Sequence, residues 1–199
     1  MEKSASSLVE LHPIVAQRWS PRSFDEGVAL SDEDLTGLLE AARWSPSAGN
    51  GQPWRYVVGR KGDALFHRIS NSLVPANKIW AEKSSALILV SVLKYRDDGT
   101  PRTTAQYDAG LASSLLTVEA HHRGLAVHQI GGFDHDGLAK SLNLDEGLQT
   151  IVVLAIGKTA PADLLPNETL RQREVAERTR LPLSDIVLAG APLAEFSVN

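Results

Sequence analysis

The sequence predicts a three-layer protein in which helices flank a central mixed sheet of about four strands. Short apolar runs typical of strands alternate along the chain with segments whose apolar residues recur at helical spacing. Two of these runs, residues 85–93 and 149–156, are almost continuously apolar, as expected of strands buried on both faces. Periodicity does not give the order of the strands, so both an α/β and an α+β arrangement stay open.

The first half of the chain is predicted to contain three helices, one helical turn and one strand. Ser31 suits a helix N-cap, and three acidic residues follow it, where they interact favourably with the positive end of the helix dipole. The other helices are predicted from their apolar spacing, and Trp54 begins a strand. In order, the elements are helices over 8–17 and from 31 to about 43, a strand over 54–58, a helix over 62–72 and a turn over 77–80.

The second half continues the alternation. A long helix over 103–123 follows the strongly apolar strand, and a strand over 125–130 precedes two glycines. Asp134 is a suitable N-cap for a helix that extends to residue 142. The last strand covers residues 149–156.

From residue 160 the composition changes to a polar tail interrupted by Pro161, Pro166 and Pro182. Only residues 183–188 have the apolar content that packing requires, so the tail must dock on its own subunit or on another, or else be disordered. We therefore divide the chain into a core, residues 1–160, and a C-terminal arm, residues 161–199.

Composition excludes several classes of function. The 20 basic and 24 acidic residues give a formal charge of -4, which disfavours nucleic acid and anionic membranes as partners. The chain has no cysteine, so it forms no disulfide and no cysteine-ligated metal site. The first residues contain no sustained apolar run, and no run is long enough to cross a bilayer. We expect a cytoplasmic location.

Two loops are candidates for binding. The segment 18–24 places Arg18 and Arg22 around Ser20, and arginine forks are suited to phosphate, although such a turn is commonly only a solvated basic surface. The segment 42–54 contains small and amide residues that would let its backbone approach a flat polar ligand, although loops of this composition also serve as simple connections.

The common catalytic motifs are absent. No glycine-rich dinucleotide or P-loop pattern is present, nor is a serine-hydrolase elbow. The six histidines do not have metal-ligand spacing, so we expect no metal site. No side chain is an evident nucleophile, so a bound cofactor is expected to supply the reactive atoms if the protein is an enzyme.

Four motifs, in order along the chain, resemble the nitroreductase family of FMN-dependent enzymes. They are Arg18-x-Ser20-x-Arg22, the loop Ala42-Arg43-x-x-Pro46-Ser47-x-x-Asn50-x-Gln52-Pro53-Trp54, Gly131-Gly132-Phe133, and Arg178-x-Arg180. The resemblance extends from about residue 8 to residue 187. It implies an α+β, nitroreductase-like fold and a homodimer with FMN at the subunit interface. It also implies a C-terminal arm exchanged between protomers.

The resemblance also implies the cofactor contacts. The first arginine segment would hold the phosphate, the ribitol and the pyrimidine edge of FMN, and the tail pair would close on the phosphate. The loop would reach the flavin ring of the partner subunit, where Gln52 would also lie close to the ring. The two glycines would lie on the other side of the ring, with Asn77 close to the flavin. The residues implied are Arg18, Trp19, Ser20, Arg22, Pro46, Ser47, Ala48, Asn50, Gln52, Asn77, Gly131, Gly132, Arg178 and Arg180.

The resemblance implies an oxidoreductase that transfers electrons from NADH or NADPH to nitroaromatics, quinones or related acceptors by a ping-pong mechanism. The flavin, with no dedicated catalytic side chain, would carry the chemistry. Trp19 and Ala48 depart from residues common in the family, which affects the expected substrate preference more than FMN binding. Three other family reactions stay open, namely dehalogenation, flavin destruction and azoline oxidation. So does a flavin-binding or storage module without turnover.

Overall fold

A single four-stranded sheet, in the order β1–β2–β4–β3, forms the centre of the computed structural model, which describes residues 3–190. The strands are β1 (Trp54–Arg60), β2 (Ala86–Leu93), β3 (Ala126–Ile130) and β4 (Leu148–Gly157). Met1, Glu2 and residues 191–199, which end the predicted arm, lie outside the described residues. The predicted number of strands and the α+β class are confirmed.

The predicted mixed sheet is wrong, because each neighbouring pair of strands is antiparallel. Helix α5 (Ala105–His122) does connect two strands of the same direction, β2 and β3, since both are antiparallel to β4. However, β4 inserts between them and pairs with both. The parallel crossover therefore joins strands that are not neighbours, and no parallel ladder forms.

The sheet separates two apolar cores, which confirms the three layers. Along β2, Ile88 and Val90 face one core, and Leu87 and Leu89 face the other. The first core lies under α2 (Asp32–Arg43) and α5. The second lies under α3 (Ala64–Ser72), α4 (Pro75–Ala81) and α6 (His135–Ser141). Burial on both sides explains why β2 is apolar almost throughout.

Local capping fixes where several helices begin. The Ser31 hydroxyl accepts a hydrogen bond from the Asp34 backbone N–H at 2.9 Å, and the Asp34 carboxylate completes a capping box. Asp134 caps α6 in the same way, accepting from the Gly137 N–H at 3.0 Å. Both predicted caps are confirmed. Asp63 caps α3, so this helix begins two residues later than predicted.

The first helix is shorter than predicted. Helix α1 covers only Pro13–Gln17, whereas the apolar spacing predicted a helix from residue 8. Proline disfavours helical angles in the residue before it, and His12 is extended, with φ -52° and ψ 134°. The helix can therefore begin only at the proline.

The tail packs differently from the prediction. Leu165 and Leu170 are buried in the second core, the latter on helix α7 (Glu168–Val175). The segment predicted to pack forms the short helix α8 (Leu183–Ile186), and its apolar side chains are exposed in the single chain, Leu188 to 93%. A docked α7 thus precedes an apolar segment that the rest of residues 3–190 leaves exposed.

None of the helices within residues 3–190 is both long and apolar enough to cross a membrane.

Candidate functional site

The arginine turn, residues 18–23, connects α1 to an isolated β-bridge between Phe24 and Thr159. Arg18, Trp19, Ser20 and Arg22 are half-buried, whereas Pro21 is buried. The Pro21 carbonyl lies 2.8 Å from Nδ1 of His128 on β3. Main-chain contacts thus anchor the turn while its arginine side chains stay partly accessible.

Three arginines of the predicted phosphate site lie close enough to repel one another. Burial lowers the pKa of Arg18, and the positive charge of Arg180 lowers it further. The pKa of Arg178 is lowered by burial and then by both of these arginines. Among the ion pairs formed within residues 3–190, none involves these three side chains. The cluster therefore concentrates positive charge that an anion would offset.

Arg178 also links the tail to the N-terminal segment. Its Nη1 donates hydrogen bonds to the backbone oxygens of Ala16, at 2.5 Å, and Lys3, at 2.7 Å. Ala16 lies in the last turn of α1, and its carbonyl also accepts a hydrogen bond from the Ala5 backbone N–H at 2.8 Å. The Arg180 Nη1 donates to the Thr179 oxygen at 2.6 Å. The other N–H groups of both guanidinium forks make no hydrogen bond within residues 3–190.

Asn77 and Gly132, both predicted site residues, are in contact. The Asn77 side-chain amide donates to the Gly132 oxygen at 3.3 Å. A Cβ atom at Gly132 would lie 2.8 Å from Asn77 Nδ2 and 3.2 Å from a Val74 methyl group, so a side chain at this position would displace the Asn77 amide. Gly131 beside it is exposed, with open space around its Cα.

Two aromatic rings connect this contact to the arginine turn. Trp80 is 1% exposed, and its ring centroid lies 4.5 Å from that of His128 and 6.4 Å from that of Phe24. Trp80 is on α4 with Asn77, and His128 contacts the arginine turn. The structure therefore joins the arginine turn, Asn77 and the two glycines in one continuous region.

The loop over residues 46–52 turns sharply through a short 3₁₀ helix, Ala48–Asn50. Gly49, Asn50 and Gln52 have positive φ angles of 57°, 55° and 43°. The Ser47 hydroxyl accepts from the Gln52 N–H at 3.0 Å, and the Gln52 amide donates to the Asn50 oxygen at 3.0 Å. Pro46, Ala48, Asn50 and Gln52 are exposed, so the loop presents its small and amide residues outward.

Two residues outside the loop, Arg102 and Asp108, hold it in place, and no sequence pattern indicates either role. Asp108 is buried on α5 and accepts from the Ala48 N–H at 3.2 Å and from the Thr104 hydroxyl, also at 3.2 Å. Arg102 donates to the Gly51 oxygen at 3.2 Å. Both contacts join residues more than 50 positions apart, beyond the reach of any local pattern.

The loop and the arginine turn lie toward opposite edges of the sheet. The loop leads into β1, at one edge, whereas His128 and the two glycines belong to or follow β3, at the other. Three interstrand spacings of roughly 4.8 Å separate these strands, about 14 Å in total. Within the described chain, no hydrogen bond joins the loop to the predicted residues of the other edge. One chain thus forms two parts of the predicted site without joining them.

A small cleft lies beside the arginine turn, between Trp19, Lys3 and the end of α5 at His121, with a volume of about 160 Å³. Pockets that enclose drug-sized ligands have about 300–1,000 Å³, so this cleft cannot enclose a flavin. Within the described residues, no group of three or more histidine or acidic side chains is arranged to hold a metal ion.

Comparison with known proteins decides the family. The family model described as the nitroreductase family matches residues 15–158. The chain belongs to the nitroreductase family. The match includes the arginine turn, the loop, Asn77 and both glycines, and it ends before Arg178 and Arg180.

Individual relatives agree with this membership. A 15.4 kDa protein of Mycolicibacterium smegmatis is 34% identical, over 68% of this chain and 95% of that protein. The Bacillus subtilis protein named as the NAD(P)H nitroreductase YdgI is 28% identical, over 74% of this chain and 87% of its own. A crystal structure described as an oxidoreductase containing FMN superposes with a TM-score of 0.87 at 33% identity and covers 94% of both chains. This last likeness extends into the tail beyond the family match.

Proposed function

We propose that this nitroreductase-family protein is an FMN-dependent oxidoreductase that takes electrons from NADH or NADPH. Its acceptors are nitroaromatics, quinones or related compounds. The observation that carries the proposal is the cluster of Arg18, Arg178 and Arg180, which lacks carboxylate partners in residues 3–190. The named NAD(P)H nitroreductase and the FMN-containing structure among the relatives support the same cofactors.

The donors of the arginine cluster fit a phosphate monoester. Each guanidinium offers a planar fork of N–H donors that binds two phosphate oxygens, and a dianion would relieve the mutual repulsion of the three cations. Arg22 and the Ser20 hydroxyl add donors from the same turn. We assign the phosphate and ribityl part of FMN to these residues.

The Asn77–Gly132 contact fits the flat part of the cofactor. The missing side chains at Gly131 and Gly132 let backbone groups lie close to a planar ring, and the Asn77 amide offers both a donor and an acceptor. We assign one edge of the flavin ring to these residues. The loop of a second chain, with Pro46, Ser47, Ala48, Asn50 and Gln52, contacts the ring from the other side.

A homodimer with two shared sites follows from this assignment. Separation of the loop from the arginine turn supports it, because no hydrogen bond within the described chain joins the two parts. Helix α5 adds support, since its outward face carries Tyr107, Leu111 and Leu115, spaced four residues apart and therefore on one stripe. Tyr107 is 69% exposed, and a large exposed apolar stripe is unusual in a monomer. The exposed segment around Leu183 and Leu188 is assigned to the partner subunit as the exchanged arm.

When bound, FMN would supply redox chemistry at its ring between a nicotinamide donor and an acceptor. The protein binds and orients the cofactor, and its loop and glycine turn limit which face is open. No side chain is assigned as a dedicated acid or base. A single open face requires the donor to leave before the acceptor enters, which predicts ping-pong kinetics.

The test is an absorbance spectrum of the purified full-length chain, followed by anaerobic addition of NADPH and, separately, NADH. We expect a yellow protein whose flavin absorbance bleaches with at least one donor. A protein that binds FMN but bleaches with neither would be a flavin-binding module without turnover. A chain that takes up no FMN would mean that the arginine cluster is only a charged surface turn.

Arg22→Ala tests the phosphate assignment directly, with Arg96→Ala as control. Both variants remove one positive charge, but Arg96 lies in an exposed turn outside the proposed site. Arg22→Ala should weaken FMN binding, whereas the control should not. Full FMN binding by Arg22→Ala would show the phosphate assignment to be wrong.

A further inference from the structure

Glu174 is a buried carboxylate in the middle of the tail's contact with the arginine turn. It lies on α7 and is 2% exposed. Its Oε1 and Oε2 accept hydrogen bonds from the Arg22 backbone N–H at 3.0 and 2.9 Å, and Oε1 also accepts from the Ser23 N–H at 3.0 Å. A single side chain thus binds two successive main-chain donors at the end of the turn.

This carboxylate binds the backbone rather than a cationic side chain. No ion pair within residues 3–190 includes Glu174. Burying a charge is costly unless hydrogen bonds compensate it, and successive backbone N–H groups provide this compensation. The negative charge also raises the pKa of Lys3 and Arg22, in opposition to burial, which lowers both. The arrangement stabilises one conformation of the turn.

Further contacts hold the same stretch of backbone from the inner side. The Ser23 hydroxyl donates to the Pro161 oxygen at 2.7 Å, and the Ala160 N–H donates to the Ser23 oxygen at 3.0 Å. The Lys3 ammonium donates to the Glu174 backbone oxygen at 2.8 Å. The backbone N–H groups of residues 22 and 23 both donate to Glu174. Helix α7 therefore sets the orientation of the backbone from which the arginine side chains project.

We propose that Glu174 is a positioning residue for the phosphate site. By docking α7 onto the turn, it fixes the backbone from which Arg18 and Arg22 extend, and so controls the part of flavin affinity that the phosphate provides. This inference rests on the proposed FMN site. Glu174 is buried behind the turn and does not itself touch the cofactor.

Geometry and simple charge predict opposite outcomes for Glu174→Gln. Removing a negative charge next to the arginines would strengthen their attraction for phosphate if charge alone mattered. Loss of the carboxylate instead releases the turn, because glutamine has one acceptor oxygen and places an NH₂ group against backbone donors. Positioning therefore predicts weaker phosphate binding.

The experiment titrates the flavin-free full-length chain with FMN and with riboflavin, which lacks the phosphate, by flavin fluorescence. The ratio of the two Kd values isolates the contribution of the phosphate. We expect the preference for FMN over riboflavin to fall about tenfold in Glu174→Gln, a fold-change equal to about 1.4 kcal/mol. Glu168→Gln, which removes an exposed charge from the same helix, should change the ratio less than about twofold. An unchanged or increased ratio in Glu174→Gln would overturn the proposal.

Two further measurements keep the test decisive. If Glu174→Gln does not fold, Glu174→Asp keeps the charge but withdraws the carboxylate by one methylene, and a reduced ratio then supports positioning while an unchanged ratio overturns it. If the wild-type chain binds neither flavin, the proposed function fails, and amide hydrogen exchange at Arg22 and Ser23 decides about Glu174 alone. Faster exchange at these two amides in Glu174→Gln or Glu174→Asp than in Glu168→Gln supports the contact, and equal exchange contradicts it.

Discussion

At the scale of single residues, Arg18 adds positive charge to a cluster of arginines that forms no ion pair within residues 3–190. The side chain is partly buried and near Arg180, and both burial and that charge lower its pKa. A charge-assisted hydrogen bond contributes about 1.5–3 kcal/mol. We therefore expect Arg18→Ala to weaken FMN binding about 10- to 100-fold, measured by fluorescence titration.

Arg18→Lys is the informative companion variant. Lysine keeps the charge but loses the planar fork, so it should restore only part of the affinity. Riboflavin binding should change little in either variant. Equal losses for FMN and riboflavin would place Arg18 away from the phosphate.

His128 gives a prediction about pH. Burial lowers the pKa of His128 to about 4, below the ordinary value of about 6.5. The unfolded state therefore binds more protons than the folded state between these pH values, and stability falls as pH decreases through this window. Because His128 is only half-buried, we expect a loss of about 1–2 kcal/mol.

The measurement is the free energy of unfolding in urea at pH 7 and pH 5. His128→Phe keeps an aromatic ring beside Trp80 but cannot titrate, so its stability should vary less with pH than that of the wild type. A variant with the same pH dependence as the wild type would assign the effect to other groups.

Arginine, glycine and amide residues indicate phosphate and a flat polar ligand from their own chemistry, and the family resemblance implies that this ligand is FMN. Neither indicates the residues that support the proposed site. Glu174 and Asp108 act through contacts to backbone 152 and 60 positions away, respectively. Their roles depend on the tertiary fold, so no local pattern could indicate them.

At the scale of secondary-structure elements, Gly59 controls how closely α3 approaches β1. A Cβ atom at this position would lie 2.4 Å from the Phe66 nitrogen and 2.5 Å from its Cα atom. These are backbone atoms of a helix and cannot move independently. We expect Gly59→Ala to reduce the free energy of unfolding by about 2–3 kcal/mol, or to prevent folding.

Gly27→Ala is the matched control, because its Cβ atom would meet only the Asp25 side chain, at an ordinary 3.4 Å. Its stability should stay within about 0.5 kcal/mol of the wild type. Thermal unfolding of the three proteins side by side checks the prediction. Equal stabilities would mean that α3 can shift on the sheet.

The sequence predicts the position of each strand well but the relative direction of neighbouring strands poorly. Buried strands such as β2 have a strong local signal, because both of their faces must be apolar. Insertion of β4 between β2 and β3 leaves no trace in either strand. The start of α1 at Pro13 follows a local rule about the residue before proline, which the apolar spacing did not reveal.

At the scale of the whole molecule, the proposed site requires two chains, and this can be tested by mixing defective ones. Arg18→Ala removes a phosphate contact. Gly49→Val disrupts the loop, because β-branched residues disfavour the φ of 57° found there, while the open space around Gly49 leaves the fold intact. Each variant alone should bind FMN poorly.

Unfolding and refolding the two variants together should restore about a quarter of the wild-type sites. Random pairing makes about half of the dimers mixed, and each mixed dimer has one site built from two undamaged parts. Flavin content per chain, measured with native mass spectrometry of the dimers, checks this. Mixed dimers without recovered sites would place the whole site within one chain.

The separation of loop and arginine turn on opposite edges of the sheet has a genetic consequence. In a cell that carries one normal and one damaged gene copy, a chain with a defective loop would inactivate the site on its partner in the proposed dimer. The same chain would still complete a working site with its own arginines and the normal loop. Damage to either part would thus reduce activity in proportion to gene dose, and neither kind of mutation would be fully dominant.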